Sequence, residues 1–125
     1  MVLKLERFWV VTGMAFVLLV IYLSLTPDPL KTATPFGIKL GHIFAYGWLM
    51  LWFAQLHRSL STRLRIAAAF CVMGIMLEYL QGLTGYRTFA YADMGYNAIG
   101  LALGLLLSLT PMQDLLLTLK RILRS

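Results

Sequence analysis

Four apolar stretches, each roughly 17–20 residues long, constrain this chain more than any other feature. They run from about Phe8 to Leu25, Ile38 to Leu56, Leu64 to Leu83 and Asp93 to Leu109. Each comes close to the ~20 residues that a helix needs to cross ~30 Å of hydrocarbon. A segment in lipid must satisfy its own backbone groups, which a helix does, and none of the four shows the alternation of a strand. The expectation is an all-α fold, a polytopic membrane four-helix bundle with a short C-terminal amphipathic helix. Composition agrees: 60% of the 125 residues are hydrophobic, 13% are charged and the mean hydropathy is +0.79. A soluble domain carries about 45–50% apolar and about 25% charged residues. A globule this small has too little interior to hide the excess.

The length allows one membrane domain, expected over residues 1–110, followed by an interfacial tail over 111–125. Thr26-Pro27-Asp28-Pro29 closes the first stretch, because proline removes a backbone donor and restricts the residue before it. His57 to Arg63 and Gly82 to Ala92 supply the other breaks. The first stretch exceeds the 7–15 residues usual in a signal peptide and lacks a small-x-small cleavage site, so it is expected to stay as an anchor. Cys71 is the only cysteine, which excludes an intramolecular disulfide and a multi-cysteine metal site.

Basic residues set the expected orientation. Lys4, Arg7, Arg58, Arg63, Arg65, Lys120, Arg121 and Arg124 fall on one side of the four spans, and Lys31, Lys39 and Arg87 on the other. The positive-inside rule then places both termini in the cytoplasm of a bacterial inner-membrane protein. Topology and lipid contact account for the net charge of +6, so no nucleic-acid partner is expected. After Pro111, the residues Met112, Leu115, Leu116, Leu119, Ile122 and Leu123 recur at helical spacing, with Lys120, Arg121 and Arg124 off the stripe. That pattern predicts a helix lying on the inner membrane surface, or else an extension of the fourth span.

Ionisable residues inside spans are costly, about 2.5–3.5 kcal/mol each on insertion scales. Here they cluster. Lys39, His42 and Tyr46 share one helix face at i, i+3 and i+7. Glu78 and Gln81 lie near the outer end of the third stretch, and Asp93 and Asn97 near the start of the fourth. His42, Glu78 and Asn97 are each expected roughly 6–9 Å below the outer boundary. Asp28 and Arg87 in the loops would cover them. Gly41 with Ala45, and Gly100 with Gly104, form small-xxx-small faces that let helices approach closely. The inner halves of the spans hold little that is polar, which argues against an ion path.

These motifs resemble those of the VanZ-like family of small bacterial membrane proteins. Ser24-Leu25-Thr26-Pro27 matches its first signature, and Lys39, His42 and Tyr46 match its Lys-x-x-His-x-x-x-Tyr run. Glu78, Gln81, Arg87, Asp93, Asn97, Gly100 and Gly104 match its third and most specific signature. The chain departs from the family at Ile38, often an Asp, and at Ile43, often a Phe. The family's namesake is associated with reduced susceptibility to teicoplanin, a glycopeptide acting at the outer membrane surface. The resemblance therefore implies a cell-envelope role and implies no particular reaction.

Three readings of the cluster stand side by side. In the structural one, Glu78 pairs with Lys39 or Arg87, Asp93 caps the fourth helix, and Gln81 and Asn97 bridge helices. In the binding one, Lys39, His42, Tyr46, Glu78, Gln81, Arg87, Asp93 and Asn97 hold an anionic lipid headgroup or a glycopeptide-related ligand, with Tyr86 and Tyr91 as amphipathic walls. In the catalytic one, His42 and Glu78 form a base and its orienting partner, or His42, Glu78 and Asp93 hold a metal. Binding is the preferred expectation, with membrane lipids, a lipid-linked envelope precursor or a glycopeptide as partner. No cofactor and no metal are expected, and the glycine stripe also allows a homodimer.

Overall fold

The computed structural model describes residues 2–25, 35–85 and 91–124, and among these it is all-helical. Helix α1 spans Val2–Leu25, α2 Pro35–Ala54, α3 Leu60–Leu83 and α4 Tyr91–Leu107. A 3₁₀ turn at Pro111–Asp114 leads into α5, Leu115–Arg124. Two helical segments, Lys4–Leu25 and Leu60–Leu83, are long and apolar enough to cross a membrane. A third qualifies if α4 and the segment Pro111–Leu123, which meet at 78°, are taken together. The helices begin earlier than their apolar runs suggest. α3 opens on the polar turn Ser61-Thr62-Arg63, and Ser59 caps it by accepting from the Thr62 N–H at 3.4 Å.

α2 and α4 make the most extensive contact, and α3 packs on both. Helix α1 lies against α2 and α3. Tyr46, Met50, Ala54 and Leu101 form the buried core, with Val20, Phe70 and Leu105 packed around it. The apolar surface faces outward instead: Phe8, Val11, Leu18, Phe44, Leu83 and Leu106 are all exposed. Among the buried residues of α3 are Arg63, Glu78 and Gln81. An apolar exterior around a polar interior is what lipid, not water, favours.

Glycine sets the approach of α4 to α2. A Cβ on Gly100 would collide with the Ile43 carbonyl, and one on Gly104 would lie 2.6 Å from the Gly47 oxygen. The expected Gly100–Gly104 face is thus used inside the chain. Its counterpart is not Gly41 with Ala45. Gly41 is exposed and has nothing within 4 Å of its would-be Cβ, while Gly47 meets Gly100 at 3.1 Å. The sequence offers two glycines six residues apart, and 3.6 residues per turn put them on different sides of α2.

One end of the structure is bound together by groups that satisfy helix C-termini. The Arg63 guanidinium is 2% exposed. It donates to the carbonyls of His57 (2.6 Å), Ala54 (3.0 Å) and Ser108 (2.8 Å). These belong to the ends of α2 and α4, where carbonyls lack helical partners and the dipole favours a cation. Gln55 bridges the tail, donating to Met112 O at 2.7 Å and accepting from Leu116 N at 3.1 Å. Lys120 reaches Glu6 of α1 at 2.5 Å, and Arg58 pairs with Asp114. The tail is therefore docked on α1 and α2 through buried Leu116, while Leu115, Ile122 and Leu123 stay exposed.

Candidate functional site

The opposite end gathers the polar residues. His42 sits a little over two turns into α2, on the side that faces α4. Its Nδ1–H donates to Asn97 Oδ1 at 3.0 Å, since that oxygen has no hydrogen to give. Its Nε2 faces Asp93 Oδ2 at 3.7 Å. Both partners come from α4, four residues apart and so on one face. The side that closes the α2–α4 contact through Gly100 thus also delivers Asn97 and Asp93 to His42.

Asp93 lies in the first turn of α4, a place where the helix dipole favours a carboxylate. It is not the cap residue, because α4 starts two residues before it, at Tyr91. At 3.7 Å the Nε2–Oδ2 gap is longer than a direct hydrogen bond, so a donor seated between them can reach both. The two side chains are 17% and 22% exposed, which leaves this edge of the network partly open.

Beneath it the network is closed. Tyr46, one turn further along α2, is buried, as are Asn97, Glu78 and Gln81. The Glu78 carboxylate acts electrostatically on the Tyr46 phenol. Gly74 of α3, one turn from Glu78, makes the room: a Cβ there would fall 2.8 Å from Asn97 Nδ2 and 3.3 Å from the Tyr46 hydroxyl. Gln81 donates to the Ser24 carbonyl at 2.5 Å and so ties α3 to the last turn of α1. Among the described residues, every buried side-chain nitrogen and oxygen has a hydrogen-bond partner.

Of the expected site residues, then, His42 bonds Asn97 and faces Asp93, and Tyr46 and Glu78 are buried at the same end. Gln81 belongs to the same end but serves α1. Lys39 is exposed at the rim, its ammonium 5.6 Å from the centroid of the Tyr96 ring, a cation–π distance. Arg87, Asp28 and Tyr86 lie outside the described residues. The carboxylate seen facing the His42 ring, at 3.7 Å, is Asp93, a place expected of Glu78. The alternative of a metal held by His42, Glu78 and Asp93 needs correction: among the described residues no three His, Cys, Asp or Glu side chains come together to hold an ion.

Tyr96 and the Ser24 carbonyl were not anticipated as parts of this site, whereas Gly74 continues the Glu78–Gln81 face inward. Tyr96 carried no periodic signal, because one residue from Asn97 is a 100° turn around α4 and the two do not share a face. Gly74 carried the signal of lying i−4 from Glu78. Nothing in the sequence marks a backbone carbonyl of α1 as the partner of Gln81. No protein-family model, no curated protein and no solved structure matches this chain.

Proposed function

We propose that this chain is a VanZ-like bacterial inner-membrane protein whose polar network recognises an anionic headgroup from the outer leaflet. In this reading α1–α4 are four spans with both termini in the cytoplasm, and the His42 end faces outward. The alternation of basic residues supports that orientation, and α5, turned 78° from α4, suits a helix lying along the inner surface.

The observation that carries the reading is the half-open His42–Asp93–Asn97 group set on a fully satisfied floor. A bundle in lipid can be held together by small residues and hydroxyls, so a buried carboxylate with an accessible imidazole and carboxylate above it exceeds what packing needs. Asp93 and Nε2 of His42 would take hydroxyl or amine donors of a headgroup. Lys39 at the rim would attract its phosphate or carboxylate. A lipid-linked envelope precursor, an anionic phospholipid or a glycopeptide-related ligand meets that description.

Native mass spectrometry of the protein purified in mild detergent tests it. The wild type is expected to carry an anionic lipid or lipid-linked species that His42→Ala and Asp93→Ala lose while keeping their fold by circular dichroism. Identical lipid profiles would make the network structural. A membrane-embedded enzyme acting on a lipid-linked or phosphate-bearing substrate is the second reading, favoured by the alignment of Asp93 and Asn97 on the two ring nitrogens of one histidine. Under it, His42→Gln retains the lipid and loses conversion of that lipid.

A further inference from the structure

At the end opposite His42, the start of α1, the end of α2 and α5 enclose an open groove of about 620 Å³. Its walls divide by character. Val10, Val11, Leu56 and Leu116 line the apolar side, and Arg7, His57 and Lys120 line the polar side with Glu6. Leu116 is 2% exposed and closes the floor, while Val10 and Val11 are exposed along the outer face of α1. Glu6 is engaged by Lys120 at 2.5 Å, so its charge is compensated at the mouth. Arg7 stands exposed beside that pair.

The segments around the groove carry a surplus of positive charge. Eight of the eleven Lys and Arg residues lie at this end with only Glu6 and Asp114 among the acids, so the whole net charge of +6 is concentrated there. A basic rim over an apolar slot that opens along an exposed helix face is complementary to a molecule with an anionic head and a hydrocarbon tail. A free anion would leave the Val10–Val11 wall unused, and a neutral lipid would leave Arg7 unused.

We propose that this groove is a binding site for an anionic phospholipid, with the phosphate on Arg7 and an acyl chain along Val10 and Val11. α5 forms one wall of the site through Leu116 and Lys120, so the bound lipid also fastens the tail helix to α1. The site shares no residue with the His42 network, and each can fail without the other.

The test reconstitutes the full chain in nanodiscs and titrates phosphatidylglycerol against phosphatidylcholine, reading bound lipid by native mass spectrometry. Phosphatidylglycerol is expected to be retained preferentially. Arg7→Ala should weaken that preference roughly fivefold, the size expected of one basic residue at a membrane surface, and Arg7→Lys should largely restore it. Arg65→Ala, at an exposed position away from the groove, should leave it within about twofold. Equal retention of the two lipids overturns the proposal. So does an equal effect of Arg7→Ala and Arg65→Ala, which would mean a diffuse surface field. Displacement of the lipid by millimolar inorganic phosphate would make the groove an anion site and overturn it as well.

Discussion

Trp9 and Trp52 hold each other reciprocally. Each indole N–H donates to the other residue's backbone carbonyl at 2.8 Å, and the rings stack at 3.7 Å with an interplanar angle of 6°. The Trp52 carbonyl lies in the last turn of α2, where its backbone partner is a long 3.4 Å bond from the Gln55 N–H, and the Trp9 indole adds a short one. Phe16 closes the cluster edge-on against Trp52 at 5.1 Å. This is the fastening between α1 and α2.

Replacing either tryptophan by phenylalanine keeps a ring and removes a hydrogen bond. Trp9→Phe and Trp52→Phe should each destabilise the protein by about 0.5–1.5 kcal/mol. The double variant should cost less than the sum, because each indole bond depends on the ring geometry set by the other. Chemical denaturation in mixed micelles, run as a double-mutant cycle, measures the coupling; strict additivity would contradict the reciprocal geometry.

Gly13 makes room for that pair. A Cβ there would lie 2.8 Å from Trp52 Cδ1 and 2.7 Å from Phe53 Cζ. The indole is pinned by its hydrogen bond to the Trp9 carbonyl and by the stack, so it has little freedom to yield. Gly13→Ala should cost about 1–3 kcal/mol by overpacking, more than the ~1 kcal/mol gained in helix propensity. Tryptophan fluorescence during thermal unfolding would report it.

The glycines of α2 and α4 give a prediction of opposite signs. Gly100→Ala drives a methyl into the Ile43 backbone carbonyl, and neither backbone can step aside. The helices must separate, stretching the His42–Asn97 bond, at a cost of about 3 kcal/mol or more. Gly41→Ala meets nothing and should be neutral or stabilising by up to ~1 kcal/mol. Scanning fluorimetry in one detergent compares the two directly, and equal effects would be inconsistent with the helix contact described.

Arg63 should be irreplaceable where its neighbours are not. Arg63→Met leaves the carbonyls of Ala54, His57 and Ser108 without their donor, a loss of about 3–5 kcal/mol. Arg63→Lys should recover only part of it, because an ammonium lacks the planar fork that reaches two helix ends at once. Arg65→Ala, exposed, should remain within about 0.5 kcal/mol of wild type. Membrane abundance after expression gives the ranking.

The helices were legible because their apolar runs are long, and the shared depth of His42 and Asn97 was legible because each lies near the same end of its run, while the direct bond between them was not. The network at the Arg63 end was not. Arg63 sits among Arg58 and Arg65 in a stretch that reads as a cytoplasmic charge cluster. What separates it is the path of α4, which ends above it, and no local pattern encodes that. Gly41 and Gly47 illustrate the same limit: spacing shows that each allows a close approach, while only the packing of α4 decides which is used. The role of Lys39 changed for a different reason. A long side chain at a helix end extends toward the nearest aromatic face at the boundary, Tyr96, instead of inward.

The bond between His42 and Asn97 joins residues 55 positions apart, with all of α3 between them. At 5–20 residues per second, the ribosome makes the second roughly 3–11 s after the first. For that interval α2 has been synthesised and its imidazole has no native acceptor. Folding of this protein therefore has an ordering problem built into it: the second helix waits, with its imidazole uncommitted, until the fourth has been made to receive it.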